Sequence, residues 1–99
     1  MNDIISQFLK SKGLNIKYRG FLQLRTILLR WGETQEKGKL LNDIAQTSAT
    51  NYLALRKNIV NVITMANLEE LSKMKIIDIC NVLYEELQMF KGDTNYAYE

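Results

Sequence analysis

The feature that most constrains the fold is the spacing of apolar residues, which recur at steps of three and four along almost the whole chain. Proline is absent, and no stretch alternates apolar and polar side chains with period two. Steps of three and four place side chains on one face of an α-helix, whereas period two would indicate a strand. Ninety-nine residues, 46% of them hydrophobic, support one core. The pattern predicts an all-α compact bundle of five to six helices over residues 1–91, followed by a flexible tail at 92–99.

Glycines and polar runs mark the ends of the predicted helices, because there is no proline to do so. The first helix begins near Ile4 and stops before Gly13, and the second runs to Gly32. A short third helix and a longer fourth one follow. A short turn at 67–71 and a long helix at 76–90 complete the series. Each carries one apolar stripe, which favours a bundle over any sheet.

The absence of histidine excludes most enzyme and metal-site chemistry. Without it there is no common general base, no Ser–His or Cys–His pair, and few ways to bind zinc. Cys80 lies in an apolar run and is expected to be a buried, reduced thiol. No apolar run has the roughly 18 residues of a membrane span, and the N-terminus is not that of a signal peptide. We therefore expect no enzymatic activity, no cofactor or metal, no membrane partner and a cytoplasmic location.

Charge is distributed unevenly between the two ends of the chain. The net charge is only +2 and the pI is about 8.7. Residues 1–64 carry ten basic side chains against four acidic ones, and residues 65–99 carry three against seven. This asymmetry favours contact between the first two thirds and a polyanion. The alternative is chance clustering of charges on a solvated surface.

The third and fourth predicted helices have the arrangement of a helix-turn-helix. A short helix at 39–46, a polar link at 47–50 and a longer helix at 51–65 follow one another, with Thr50 or Asn51 placed to cap the last. In that motif the second helix lies in the major groove of DNA and the first braces it. The usual glycine is missing from the link, and such hairpins are common in all-α proteins. On its own the arrangement is a weak indication.

The side of the fourth helix opposite its apolar stripe carries no carboxylate, whereas a merely solvated helix usually includes some. Asn pairs with an adenine edge, Lys or Arg reaches guanine or phosphate, and Ala fits against a thymine methyl. The predicted DNA-binding residues are Thr50, Asn51, Ala54, Arg56, Lys57, Asn58 and Asn61. Weaker phosphate contacts are predicted for Lys17, Arg19, Lys37 and Lys39.

Some residues near this surface have a second interpretation. Leu53 and Val60 lie on the flank of the fourth helix, as extra core or as a contact to a second protein. Arg25 lies on an otherwise apolar helix. We expect it to form a buried or half-buried ion pair, with Asp43 as one candidate partner, rather than to contact DNA.

The stretch "GLNIKYRGFLQLRTIL" at residues 13–28 resembles the start of the C-terminal DNA-binding effector domain of the master sporulation response regulator of spore-forming Firmicutes. Gly13 and Gly20 have the family's spacing, and "LLNDIAQ" followed by "TNYLALRKNIVNVI" is similar to its helix-turn-helix. Further matches are Phe21, Leu22, Leu24, Arg25, Asp43, Ile44, Ala45, Thr50, Leu55, Lys57, Ile59 and Ile63. The resemblance implies a six-helix domain whose fourth helix enters the major groove, often as tandem copies on DNA, to activate or repress transcription.

The chain also departs from that family. The receiver domain with its phosphorylated aspartate is absent, so that form of gating is not expected. Ala54, Val60 and Asn61 stand where the family's recognition helix has two arginines and a histidine, and Arg56 replaces an acid. Only Lys57 keeps a family positive charge. The base preference of the family is therefore not carried over.

Two hypotheses follow from the sequence. The first is a small sequence-specific transcriptional regulator, encoded by a phage or mobile element, that binds double-stranded DNA singly, as a homodimer or in tandem. The second is an inhibitor or interaction module on the same scaffold, whose fourth helix binds a host protein through Tyr52, Leu53 and Val60.

Overall fold

The computed structural model describes residues 3–97, which contain six α-helices and no strand, so the predicted all-α bundle is confirmed. A single 3₁₀ turn at Trp31–Glu33 follows the second helix. The helices are α1 (Ile4–Ser11), α2 (Arg19–Arg30), α3 (Lys37–Thr47), α4 (Tyr52–Met65), α5 (Glu69–Ser72) and α6 (Ile76–Ala97).

The core forms around α2 and α4, which make the most extensive helix–helix contact of the bundle. Phe21, Leu24 and Ile27 of α2 are completely inaccessible to solvent, as are Leu55 and Ile59 of α4. Burying a side chain of this size stabilises the fold by about 1.5–3 kcal/mol relative to leaving it exposed. Helix α5 has no fully buried residue. Helices α1, α3 and α6 add these buried side chains to the same core: Ile5, Phe8, Leu9, Leu40, Leu41, Ile44, Ile76, Ile79, Cys80, Leu83 and Leu87.

Gly20 allows α2 and α4 to approach closely. A Cβ at this position would lie 2.2 Å from the carbonyl oxygen of Asn58 and 3.0 Å from Cγ1 of Val62. Any larger residue must therefore push the two helices apart. One turn further along α2, the buried Gln23 accepts a hydrogen bond from the side-chain amide of Asn58 at 3.1 Å. The glycine and the amide pair together fix where α4 lies on α2.

Three helices end in Schellman motifs, in which a residue with positive φ follows the helix and the next N–H returns to the last turn. Gly13 (φ 91°) ends α1, Ala49 (φ 56°) ends α3 and Asn67 (φ 62°) ends α4. The closing bonds run from Leu14 N to Leu9 O at 3.1 Å, from Thr50 N to Ala45 O at 2.9 Å and from Leu68 N to Ile63 O at 3.2 Å. Gly13 is the stop that the sequence predicted.

Arg25 forms the half-buried ion pair that was expected, but with a different partner. Its Nε lies 3.1 Å from Oδ2 of Asp3, whose other oxygen caps α1 by accepting from the Ser6 N–H at 3.0 Å. Asp43 is exposed, so the prediction of Asp43 as the partner was wrong. The N-terminus of α1 packs beside α2, and this brings Asp3 closer to the guanidinium than any acid of α3.

Helix α6 is longer than its sequence predicts. It continues through Gly92 to Ala97, across the boundary where a flexible tail was expected to begin, and residues 98–99 lie outside the described part. A glycine costs a helix only about 1 kcal/mol, and helix propagation beyond the last core contact needs no packing. Cys80 on this helix is buried as predicted, and desolvation raises the pKa of its thiol to about 12.

Residues 3–97 contain no helix with the combination of length and apolar composition that a membrane span requires.

Candidate nucleic-acid interface

Helices α3 and α4 are joined by a tight turn at residues 48–51. Ala49 takes the left-handed conformation at which a glycine would be expected, and the Schellman bonds of this turn end α3. Asn51 then caps α4, because its side-chain oxygen accepts a hydrogen bond from the Ala54 N–H at 2.9 Å. The predicted Asn51 cap is confirmed. The polar run of the sequence thus ends one helix and starts the next without an intervening loop.

Helix α3 braces α4 from the core side. Leu41, Ile44 and Ala45 are buried, and α3 packs against both α2 and α4. The buried stripe of α4 is slightly broader than the sequence suggested, because Val62 joins Leu55 and Ile59 in the core. The opposite side of α4 faces solvent. We call it the outer face of α4 and define it by Leu53, Ala54, Arg56, Lys57, Val60, Asn61 and Thr64.

The outer face is open, polar at its centre and partly apolar at its edges. Lys57, Asn61 and Thr64 are exposed, whereas Ala54 and Val60 are half-buried. A shallow depression of about 440 Å³ runs along it between Arg56 and Thr64. Leu53 is 76% exposed, so the interpretation of this residue as part of the core was wrong. Its second interpretation, a contact to another protein, stays a prediction.

The charge of the outer face is uncompensated. No aspartate or glutamate occurs between Asp43 and Glu69. Among the described residues, Arg56 and Lys57 form no ion pair, unlike Lys12 and Arg25, whose partners are Glu86 and Asp3. A fixed positive charge without a neighbouring acid attracts an anionic partner and releases its counterions on binding.

Two predicted base-contacting residues use their side chains in hydrogen bonds within the domain. Asn58 lines the depression on the outer face, but it is half-buried and its side-chain amide donates to Gln23, which joins α4 to α2. Asn51 is exposed, but its side-chain oxygen is occupied in the cap, which leaves only its NH₂ group to donate. Thr50 is half-buried in the turn. Arg56, Lys57 and Asn61, with Ala54 between them, are the predicted residues that the fold does bring together.

The four predicted phosphate contacts also fall into different surroundings. Lys17 and Arg19 are exposed at the start of α2, next to Gly20 and its contact with Asn58, which places them beside α4. Lys39 is exposed on α3, in a depression that it shares with Glu36 and Asp43.

Lys37 differs, because its ammonium serves the fold. It donates to the carbonyls of Trp31 and Thr34 and lies 4.7 Å from the centre of the indole ring. The ammonium group therefore satisfies backbone carbonyls just after the end of α2, and we do not include Lys37 in the interface.

One cation beside the outer face has no counterpart in the sequence predictions. Lys75, just before α6, lines a cleft of about 400 Å³ together with Tyr52 and Arg56 of α4. Nothing in the linear pattern relates Lys75 to Arg56, since their proximity depends on how the start of α6 packs against α4. The only relevant signal in the sequence is that Lys75 directly precedes the last predicted helix, which packs against α4 in the structure.

Comparison with known proteins finds no family model, no curated protein and no solved structure that matches this chain. The function of the protein is therefore inferred from the geometry and charge of α3, the turn and α4.

Proposed function

We propose that this protein is a sequence-specific DNA-binding regulator of transcription, in which α3 and α4 act as a helix-turn-helix and α4 is the recognition helix. The observation that carries the proposal is the outer face of α4, an exposed surface with two unpaired cations and an exposed asparagine and with no acid from Asp43 to Glu69. The resemblance to the sporulation regulator's effector domain points to the same function.

The dimensions of α4 suit the major groove. Fourteen residues give a helix about 21 Å long, and the groove, about 12 Å wide, admits one helix. Asn61 can donate to and accept from an adenine edge, and Lys57 can donate to guanine O6 and N7. Ala54 is small enough to meet a thymine methyl. These three residues are our proposed base-reading set, with Thr64 at the distal end of the same face.

Backbone contacts would come from the cations around this face. Lys17 and Arg19 lie at the start of α2, and Arg56 lies at the edge of α4 facing α6. Phosphate contacts of this kind fix register and orientation but carry no base information directly. About four to six of them would lower affinity by roughly a hundredfold or more between about 50 and 200 mM salt.

The test is selection of binding sites from random duplex DNA, followed by fluorescence anisotropy with the selected duplex and a scrambled one. We expect a defined site, a steep salt dependence, and loss of preference for that site in Lys57→Ala/Asn61→Ala. The matched control is Lys73→Ala/Gln88→Ala, which removes an exposed lysine and an exposed side-chain amide outside α4. No enrichment of any sequence and no binding at low salt would overturn the proposal.

A second candidate function is supported by the apolar residues at the ends of the outer face. Leu53 and Met65, near the two ends of α4, are 76% and 57% exposed, and exposed apolar side chains of this kind can form a contact with a protein. An interaction module that binds a host protein would use them together with Val60 and Tyr52. In that case Leu53→Gln, which removes the apolar side chain without adding an acid to the outer face, abolishes function without unfolding the domain, whereas Lys57→Ala/Asn61→Ala leaves it intact. For a DNA reader the two results are reversed.

A further inference from the structure

The cleft between the start of α4 and the start of α6 is a second anionic contact point next to the outer face. It is lined by Tyr52, Arg56, Lys75, Ile76, Ile77 and Asp78. Arg56 and Lys75 are both exposed, and neither forms an ion pair among the residues that the structure describes. Arg56 of α4 and Lys75, which directly precedes α6, thus share one cleft with a single acid, Asp78.

The cleft is continuous with the outer face of α4. Arg56 lines both the cleft and the depression that Lys57, Asn61 and Thr64 form on that face. A duplex held against Lys57 and Asn61 therefore passes the mouth of the cleft with one of its strands. The half-buried Tyr52, the apolar Ile76 and the apolar Ile77 also line the cleft, and the tyrosine can add a hydroxyl donor.

We propose that this cleft binds one phosphodiester group of the DNA backbone between Arg56 and Lys75, and that Lys75 is a DNA-contacting residue. The inference rests on the proposed function, since it assumes that α4 meets DNA. Arg56 supplies a planar fork that matches two phosphate oxygens, and Lys75 adds a point charge from the other wall. Asp78 also lines the cleft, so two cations and one acid leave a single net positive charge, which suits one phosphodiester group and not several.

The assignment makes Lys75 a residue of affinity and not of sequence preference. A phosphate contact weakens binding uniformly across sequences when it is removed, and it takes about one unit from the slope of log affinity against log salt. By contrast, Asn61 faces the groove and its loss should relax the preference for one base pair. The two residues are therefore distinguishable in one set of measurements.

The experiment compares Lys75→Gln with Lys73→Gln in the full chain by fluorescence anisotropy at several salt concentrations, on selected and scrambled duplexes. Lys73 is an exposed lysine two residues away that does not line the cleft. We expect Lys75→Gln to weaken binding to both duplexes by about three- to tenfold and to lower the salt slope by about 0.9. Lys73→Gln should change neither. Thermal unfolding of both variants should match that of the original chain.

Arg56→Gln alone and combined with Lys75→Gln tests whether the two cations hold the same phosphate. A shared phosphate predicts that the double variant loses less than the product of the two single losses. Purely multiplicative losses would overturn the shared contact.

Failure of the inference is distinct from failure of the proposed function. If the original chain binds DNA and Lys75→Gln behaves like Lys73→Gln, the cleft does not hold a backbone phosphate. If the original chain does not bind DNA, both are overturned. Saturable binding of inorganic phosphate at the cleft, seen by NMR and abolished in Lys75→Gln while DNA affinity is unchanged, would mark a free-anion site and also overturn the inference.

Discussion

The outer face of α4 and the groove beside α5 are two open surfaces of similar size with opposite charge. The first encloses about 440 Å³ around Arg56, Lys57 and Asn61, and the second about 500 Å³. The groove has a half-buried apolar floor of Leu68, Leu71, Met74 and Val82, rimmed by Glu69, Glu70, Glu86 and the Lys12 that pairs with Glu86 at 3.0 Å.

Apolar content does not distinguish the two surfaces, since both include exposed or half-buried aliphatic side chains. What separates them is whether the charges are compensated and of which sign. The cations of α4 form no ion pair among the described residues, and only Asp78 shares a cleft with one of them, whereas the groove contains three carboxylates and one lysine, which is already paired. A polyanion is therefore attracted to one surface and repelled by the other. Under the proposed function, this contrast would orient the domain with the outer face of α4 toward DNA.

The contrast between the outer face of α4 and the groove beside α5 requires that α4 keeps its position in the bundle. That position depends first on the close approach of α2 and α4. In Gly20→Val, the new side chain meets the Asn58 carbonyl and Val62, so the helices must separate. We expect a loss of about 3 kcal/mol or more in the free energy of unfolding, measured with urea. Gly38→Ala is the matched control, because nothing lies within 4 Å of the new methyl group, and it should stabilise α3 by up to about 1 kcal/mol. Equal stability of the two variants would contradict the close-packing argument.

Reversing charge on each surface tests the contrast directly. Arg56→Glu/Lys57→Glu should lower DNA affinity by about a hundredfold or more, because two attractive charges become repulsive. Glu69→Lys/Glu70→Lys on the groove, an equal change of charge with opposite sign, should leave affinity unchanged or raise it slightly. Both pairs are exposed, so stability should change by less than about 0.5 kcal/mol per site. A gain of affinity in the groove variant as large as the loss in the outer-face variant would show that binding follows net charge and not the outer face.

The outer face could be inferred from sequence because it depends on one helix only. The periodicity of α4 and the missing acids are local properties, so the positions of Arg56, Lys57 and Asn61 followed from spacing alone. Features that depend on how helices cross did not follow. Asn58 was assigned to the DNA face because the helical wheel places it away from the apolar stripe, and only the approach of α2 at Gly20 reveals that Gln23 holds its amide.

The same limit explains the other differences. Asp3 lies far from Arg25 along the chain, and Lys75 lies far from Arg56. The ion pair of the first two and the proximity of the second two therefore appear only when the helices are packed. Lys37 looked like a surface cation because the sequence does not show that the end of α2 turns its carbonyls toward it. The end of α6 was misjudged for a different reason. Gly92 and polar residues weaken a helix without stopping it, and no proline is present to do so.

The turn before α4 offers a smaller effect. Ala49 adopts φ 56°, a conformation that costs an L-residue about 1–2 kcal/mol, whereas Asn67 at the other end of α4 is a residue type that tolerates it. Ala49→Gly should raise the free energy of unfolding by about 1 kcal/mol, and the melting temperature by roughly 4–8 °C. Asn67→Gly should give a smaller gain. DNA affinity of Ala49→Gly should stay within about twofold, because the turn keeps its shape. Destabilisation by this glycine would contradict the left-handed geometry at Ala49.

Substitution of Asp3 should have the smallest effect on stability. It distinguishes an acid that stabilises the fold from the acids that line the groove. Desolvation raises the pKa of Asp3, but hydrogen bonds from Ser6 and Arg25 outweigh it and lower the pKa from 3.8 to about 2. A carboxyl whose pKa is depressed in the folded state stabilises the fold above its unfolded value, and that stabilisation is lost as pH falls through the folded value. Because the pair is partly solvated, we expect about 1 kcal/mol or less, present above about pH 4 and lost between about pH 4 and 2. Comparing urea unfolding of the original chain and Asp3→Asn at pH 6 and pH 2.5 measures it: the difference in stability should shrink at the lower pH. Glu70→Gln, which removes a carboxylate from the groove rim, should leave the pH dependence of the original chain in place. If Asp3→Asn did the same, the Asp3–Arg25 pair would not contribute to stability.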